Sequence, residues 1–142
     1  MSVQIIRILV AGALLLHGLG HGGALGALIT IGRGMSGGAW RPARSWLVPS
    51  LSAPAARRVA SIFWIASMIG FVAAALSFWG LLVPGDVWRQ LALASSAVSI
   101  LGITLFLGTW PVFNTVAALS MNIAVLVSQL WLRWPPQAVY GN

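Results

Sequence analysis

The sequence predicts an all-α fold, a four-helix transmembrane bundle with a long first loop and two short hairpin loops. Two observations support this prediction: the composition of the chain and the four long apolar segments along it. Of the 142 residues, 59% are hydrophobic and 6% are charged, with no lysine, no glutamate and one aspartate. An ordinary soluble domain carries about 25% charged residues, so this chain has too few of them to cover a water-facing surface. Most of it must therefore be solvated by lipid.

Four segments, covering about residues 5–31, 59–83, 87–107 and 112–132, are long enough to span a membrane as helices. A spanning helix needs about 20 mostly apolar residues, and the first segment exceeds that length and is free to tilt. The first segment is also too long for the apolar core of a cleaved signal peptide, so we interpret it as retained. The four spans leave no room for a soluble domain, which predicts a single integral membrane domain over residues 1–142.

The connections between the spans differ in length. The Pro-Gly-Asp sequence at 84–86 predicts a tight turn, with Asp86 capping the third helix. The Gly-Thr-Trp-Pro sequence at 108–111 predicts a second hairpin loop, so the last three helices are expected to be antiparallel neighbours. The first connection, residues 32–58, is long, carries five arginines, and is expected to lie along the membrane surface.

The net charge of +7 comes from eight arginines and one aspartate. The arginines flank apolar segments, which indicates contact with membrane lipids rather than with nucleic acid. Five of them lie in the long first loop and three on the other side, so the positive-inside rule predicts a multi-pass protein of the cell membrane with this loop in the cytoplasm. The residues expected at the level of the lipid headgroups are Arg41, Trp40, Trp46, Trp88 and Trp110.

The first span contains the strongest functional signal. His17 and His21 lie one helical turn apart near the predicted bilayer midplane, where an ionisable side chain indicates a functional site. Gly18, Gly22 and Gly26 repeat every four residues and predict a groove of bare backbone that another helix or a flat ligand can approach closely. The histidines lie on an adjacent stripe, about 100° around the helix.

The sequence indicates which ligands the two histidines are able to bind. A catalytic zinc site needs a third protein ligand and usually a carboxylate base, and the chain has no cysteine and no glutamate, so we predict no metal site. Two histidines at this spacing on one helix also cannot reach opposite faces of one porphyrin. A haem or chlorophyll-type pigment with a single axial histidine, or a quinone, stays open as a cofactor.

The other spans supply polar partners for the histidines. Asn122 and Gln129, seven residues apart, share one face of the fourth span, and the third span contains several serines, among them Ser99. In one interpretation, His17 and His21 donate to carbonyls or hydroxyls of neighbouring helices and stay neutral. In the other, the two histidines, Asn122 and Gln129 line a ligand-binding site.

The segment 15–21, Leu-Leu-His-Gly-Leu-Gly-His, resembles the first helix of a group of small uncharacterised bacterial four-span proteins with a Leu-His-Gly-x-x-His motif. Their later helices carry recurring tryptophan motifs, which here are Trp64, Trp88-Arg89 and Trp110-Pro111. More distantly, the chain is similar to the DoxX-like superfamily, with His21 standing where that superfamily has a lysine. These resemblances imply a four-helix membrane bundle and no settled activity.

The sequence is therefore compatible with three functions. The first is an accessory or structural subunit of a membrane complex, or a homo-oligomer, associating through the glycine face of the first helix. The second is a membrane-embedded binding protein for a tetrapyrrole, a quinone or another flat apolar ligand held by His17 or His21. The third is a proton-coupled transporter that uses both histidines as a relay, although the spans contain no acidic partner. The scarcity of acids also argues against an enzyme.

Overall fold

The computed structural model describes residues 2–140 and is helical, without strands, over that range. Four α-helices are followed by a π-helical turn and a short 3₁₀-helix. Their bounds are Val3–Gly32 (α1), Ala53–Phe78 (α2), Trp88–Leu105 (α3), Val112–Leu126 (α4), Val127–Trp131 (π turn) and Gln137–Val139 (3₁₀). The prediction of an all-α fold is confirmed.

Three of these helices are long and apolar enough to cross a membrane: Val3–Gly32, Ala53–Phe78, and Val112–Trp131, which joins α4 to the π turn. They are consistent with a multi-pass membrane protein. The remaining helix, α3, has 18 residues and carries its serines on the face that packs inside the protein.

The first two helices end at glycines in the left-handed backbone conformation. After α1, Gly34 has φ +76°, and the N–H of Met35 donates to the carbonyl of Thr30. After α2, Gly80 has φ +72°, and the N–H of Leu81 donates to the carbonyl of Leu76. This pattern is the Schellman cap, which closes the helix because its last carbonyls are satisfied. It ends α2 at Phe78, five residues before the predicted boundary.

The start of α2 also differs from the prediction. The helix begins at Ala53, not near residue 59, and Pro54 lies in its first turn, where its missing N–H costs no hydrogen bond. Arg57 and Arg58 therefore lie on the helix, and the long loop is reduced to residues 33–52. A hydropathy pattern marks only the part of a helix that lies in the hydrocarbon layer. It therefore does not detect a first helical turn that lies in the headgroup region.

The cap predicted for α3 is wrong. Val87 occupies the N-cap position and no side chain caps the helix, so Asp86 stands one residue too early for that role. The end of α4 was not foreseen either, since the chain continues as a π turn over Val127–Trp131. There the N–H of Leu132 donates to the carbonyl of Val127, five residues back.

Small residues set the helix packing. Gly18 of α1 faces α2 so closely that an added Cβ would lie 3.1 Å from the carbonyl oxygen of Met68. On the other side of α2, Gly102 of α3 lies under the ring of Phe63, and an added Cβ would come within 2.7 Å of the Phe63 Cβ. Two apolar clusters result, one containing Phe71, Phe78 and Trp88 and the other containing Trp64, Ile103 and Trp110.

Candidate functional site

A buried polar network lies between the two apolar clusters and contains both histidines. Nε2 of His17 lies 2.9 Å from Oδ1 of Asn122, and Nδ2 of Asn122 donates to Oγ of Ser99 over 2.7 Å. Oγ of Ser99 lies 3.0 Å from Nε2 of His21. The network thus joins α1, α3 and α4 through side chains alone. The interpretation in which the histidines find partners on neighbouring helices describes this geometry.

The chemistry of the groups indicates the direction of these hydrogen bonds. Oδ1 of Asn122 only accepts, so Nε2 of His17 is the donor. Ser99 accepts from the Asn122 amide, and we assign its own hydroxyl proton to Nε2 of His21, because this tautomer of the ring gives the hydroxyl an acceptor. This places the His21 proton on Nδ1, which is buried and has no hydrogen-bond partner within residues 2–140. The three hydrogen bonds therefore run in one direction, from His17 to His21.

Aromatic rings enclose the network. The imidazoles of His17 and His21 lie 5.1 Å apart, edge to face, and the ring of Phe71 lies 4.5 Å from that of His17. Trp110 closes the other side, with its ring 5.3 Å from His21 and 5.5 Å from Trp64. These rings pack against the imidazoles and restrict their orientations.

A cavity of about 160 Å³ opens beside the network, between α1 and α4. His17, His21, Trp110 and Asn114 line it, together with Leu16 and small residues of both helices. Its volume is below the roughly 300–1,000 Å³ of drug-sized ligand pockets, so it fits a single ring and not a tetrapyrrole. Both Nε2 atoms are also engaged in the network, which leaves neither available as an axial ligand unless a hydrogen bond is broken.

Gln129 does not join this site, contrary to the prediction that it shares a ligand-binding face with Asn122. It lies in the π turn. Its amide nitrogen, Nε2, donates to the carbonyl of Trp134 over 2.7 Å and to Oγ of Ser128 over 3.0 Å. The π turn changes the helical repeat, so a seven-residue spacing no longer places two side chains over one another. Gln129 instead holds the chain that leaves α4.

The glycine stripe is divided between two environments. Gly18 and Gly22 pack on α2, where an added Cβ would meet Val72 at 3.1 Å and Sδ of Met68 at 3.0 Å, respectively. Gly26 faces open space, with no atom within 4 Å of an added Cβ. The prediction of a helix-packing role therefore fits Gly18 and Gly22 but not Gly26. Because α2 covers the first two, this part of the stripe is not free for another subunit.

The residues predicted at the lipid interface fall into two groups, one buried inside the protein and one on its surface. Trp88 and Trp110 are 1% and 7% exposed, so for these two the prediction is wrong, because each packs in an apolar cluster. Trp46 is 61% exposed, and its indole N–H donates to the carbonyl of Thr104. Trp40 is half-buried against Trp110 and Arg41 is exposed, which keeps both compatible with the membrane surface.

Phe71 is the site residue that sequence reasoning did not name. Ser99 was named among the serines of the third span, and its position opposite His21 gives it its place in the network. Phe71 stands in an apolar run with no distinguishing pattern. Between Ser2 and Tyr140, no group of three His, Cys, Asp or Glu side chains is close enough together to hold a metal ion.

Together the helices and this network define a class of protein, a small helical protein with three helices able to span a membrane and a histidine network between its helices. No protein-family model, no curated protein and no solved structure matches the chain.

Proposed function

We propose that the chain is a four-span integral membrane protein in which α3 is the fourth crossing. The 18 residues of α3 extend about 27 Å, close to the roughly 30 Å of a bilayer hydrocarbon core. Near its start, the Arg89 guanidinium donates to the carbonyl of Pro135, beyond the end of α4. Near its end, the carbonyl of Thr104 accepts from the indole of Trp46 in the long loop. These contacts support the proposal that the two ends of α3 lie at the same depths in the membrane as the ends of the neighbouring helices that span it.

The long loop and the loop between α3 and α4 then lie on one side of the membrane. The backbone N–H of Arg41 donates to the carbonyl of Thr109 over 2.9 Å, which supports this arrangement. The five arginines at positions 33–58 share that side, so the positive-inside rule places it in the cytoplasm of the cell membrane. Both termini face outward.

The role that the geometry supports best is structural: an accessory subunit of a membrane complex, or a homo-oligomer, whose fold is held by the histidine network. One observation carries this proposal, the bridging of α1, α3 and α4 by His17, Asn122, Ser99 and His21. Each interhelical hydrogen bond in a membrane contributes about 0.6–2 kcal/mol, so the three bonds specify one packing of these helices. No carboxylate of the described spans joins the network, which argues against a proton relay.

Binding of a small apolar ring, such as a quinone headgroup, is a second candidate that a specific observation favours. The cavity of about 160 Å³ lies beside both histidines and opens between α1 and α4 toward the lipid phase. The buried Nδ1 of His21 has no partner among the described residues, and we propose that a small rotation of this ring would present it to a ring carbonyl in the cavity. The similarity of the chain to the DoxX-like superfamily stays a prediction, and it favours neither the structural role nor the binding role.

One experiment separates the two candidates. The full chain and its His17→Ala, His21→Ala and Asn114→Ala variants are purified in mild detergent, and their absorption spectra, solvent extracts, particle sizes and thermal unfolding are measured. Asn114 is the matched control because it lines the cavity but stands outside the network.

The structural role predicts that both histidine variants lose stability by about 1–3 kcal/mol and alter the particle size, while Asn114→Ala behaves as the parent chain. No ligand is then extracted from any sample. A chromophore or quinone that copurifies, and is lost in Asn114→Ala as well as in a histidine variant, would replace the structural role by the binding role.

A further inference from the structure

A cleft of about 570 Å³ lies at the cytoplasmic end of α1 and α2, well away from the histidine network. Its lining surface is mostly apolar, and three arginines, a serine and two isoleucines are among the residues that line it. These residues are Arg33, Arg57, Arg58, Ser61, Ile29 and Ile62. The cleft therefore combines concentrated positive charge with an aliphatic surface.

The backbone of α1 brings one of these arginines into place. Gly32 is the last residue of α1, and the guanidinium of Arg57 lies directly against it, where the Cβ of any other residue would collide with Nη1. Arg57 is half-buried as a result, whereas Arg33 and Arg58 are exposed at the rim. The carbonyls at the C-terminal end of α1 carry partial negative charge and favour a cation at this position.

The positive charge of the cleft is not neutralised by the protein. Within residues 2–140, the guanidinium groups of Arg33, Arg57 and Arg58 make no side-chain hydrogen bond, and the only carboxylate side chain, Asp86, follows the opposite end of α2. The 26 residues of α2 separate the two ends by about 39 Å, beyond the screening length of about 8–10 Å in physiological salt. The cleft can therefore attract an anion from outside the chain.

The apolar part of the cleft indicates the source of that anion. Ile29 and Ile62 are 47% and 65% exposed and lie on the outer, membrane-facing surfaces of α1 and α2, on the hydrocarbon side of the arginines. An acyl chain fits against such a surface, whereas a free anion gains nothing from it. The cleft volume also falls within the roughly 300–1,000 Å³ typical of ligand sites.

We infer that this cleft binds an anionic phospholipid. Its phosphate is held by Arg33, Arg57 and Arg58, with the Ser61 hydroxyl as a further donor, and an acyl chain lies along Ile29 and Ile62. Guanidinium groups suit this ligand because their planar N–H groups match phosphate oxygens in pairs. The inference rests on α1 and α2 crossing the membrane but does not depend on the role of the histidine network.

The test uses the full chain in an uncharged detergent and native mass spectrometry to count bound lipid during titration. The probes are phosphatidylglycerol and phosphatidylcholine with identical acyl chains, and inorganic phosphate. The variants are Arg57→Gln and Arg58→Gln. Arg44→Gln is the matched control, since it removes the same charge from the same side of the protein, outside the cleft.

We expect the parent chain to retain one phosphatidylglycerol in preference to phosphatidylcholine. Each cleft substitution should weaken this binding about five-fold, the effect of roughly one surface arginine on an anionic lipid, and Arg44→Gln should leave it unchanged. Arg58 is exposed, so Arg58→Gln is expected to fold even if Arg57→Gln does not.

Three results would overturn the site. They are equal retention of both lipids, an equal loss of phosphatidylglycerol in Arg44→Gln, and displacement of the lipid by inorganic phosphate at comparable concentration. The unfolding temperature of the lipid-free samples reports the histidine network separately, so failure of this site is distinguishable from failure of the structural role.

Discussion

Asn122 is central to the buried network, because its side chain hydrogen-bonds to both His17 and Ser99. Its amide oxygen accepts from His17 and its amide nitrogen donates to Ser99, so one side chain of α4 joins α1 to α3. It is fully buried, and its amide offers both a donor and an acceptor. An apolar residue of similar size would leave His17 without its acceptor and would remove the donor to Ser99, which keeps its contact with His21.

We therefore expect Asn122→Leu to destabilise the protein by about 1–3 kcal/mol, since it leaves a buried imidazole N–H without an acceptor. Thermal or denaturant unfolding in detergent measures the effect. Asn114→Leu is the control, because Asn114 is an exposed residue of the same helix. Equal losses in the two variants would mean that the network adds no stability beyond that of an ordinary polar residue in α4.

At the residue scale, the sequence identified part of the site. His17, His21 and Asn122 are rare polar groups in apolar spans, and that rarity was sufficient to select them. Gln129 met the same criterion and was misplaced, because a π turn separates it from Asn122. Serines recur along α3, and only the rotation of that helix places Ser99 opposite His21.

The packing of α1 on α2 depends on small residues in register. Gly18 is buried between α1 and α2, and any added side chain meets the Met68 carbonyl and the side chains of Phe71 and Val72. Gly26, two turns further along, has no neighbour within 4 Å of an added Cβ. One helix therefore carries the same residue type in a packed and in an open position.

This difference gives a matched pair of substitutions. Gly18→Leu should force the helices apart and destabilise the protein by about 1–3 kcal/mol or more, while Gly26→Leu adds the same side chain to an open surface and should have little effect. Unfolding of both variants in one detergent, beside the parent chain, measures the contrast. If Gly26→Leu proved the more damaging, Gly26 would instead lie in an interface with another subunit.

Element boundaries were predicted well where glycine or hydropathy marks them and poorly elsewhere. α1 ends within one residue of its predicted boundary. The start of α2 was placed six residues late because Arg57 and Arg58 lowered the hydropathy of a segment that is nonetheless helical. That error also concealed the cleft, since two arginines assigned to a loop have no defined position relative to α1.

For the whole molecule, four crossings predict which loops share a side of the membrane. The natural chain has no cysteine, so a single introduced cysteine is the only thiol available for labelling. Ser36→Cys reports the long loop, Leu82→Cys the turn after α2, and Leu107→Cys the turn after α3; all three positions are exposed.

In intact cells, a membrane-impermeant maleimide should label Leu82→Cys and should label Ser36→Cys and Leu107→Cys only after permeabilisation. This expectation follows from the proposal that α3 carries the chain across the bilayer between positions 82 and 107. Labelling of positions 82 and 107 from the same side would show that α3 does not cross. The reverse pattern for all three would keep four spans and invert the orientation.

What the sequence by itself determined is the class of the protein: the scarcity of charge and the length of the apolar segments require helices in a lipid environment, because only there are backbone groups satisfied without water. What the tertiary structure decided is which side of each helix faces inward. These helices are apolar around most of their circumference, so no polar face distinguishes the interior from the lipid. The burial of Trp88 and Trp110, the selection of Ser99 and the meeting of Gly32 with Arg57 follow from helix rotation and contact alone.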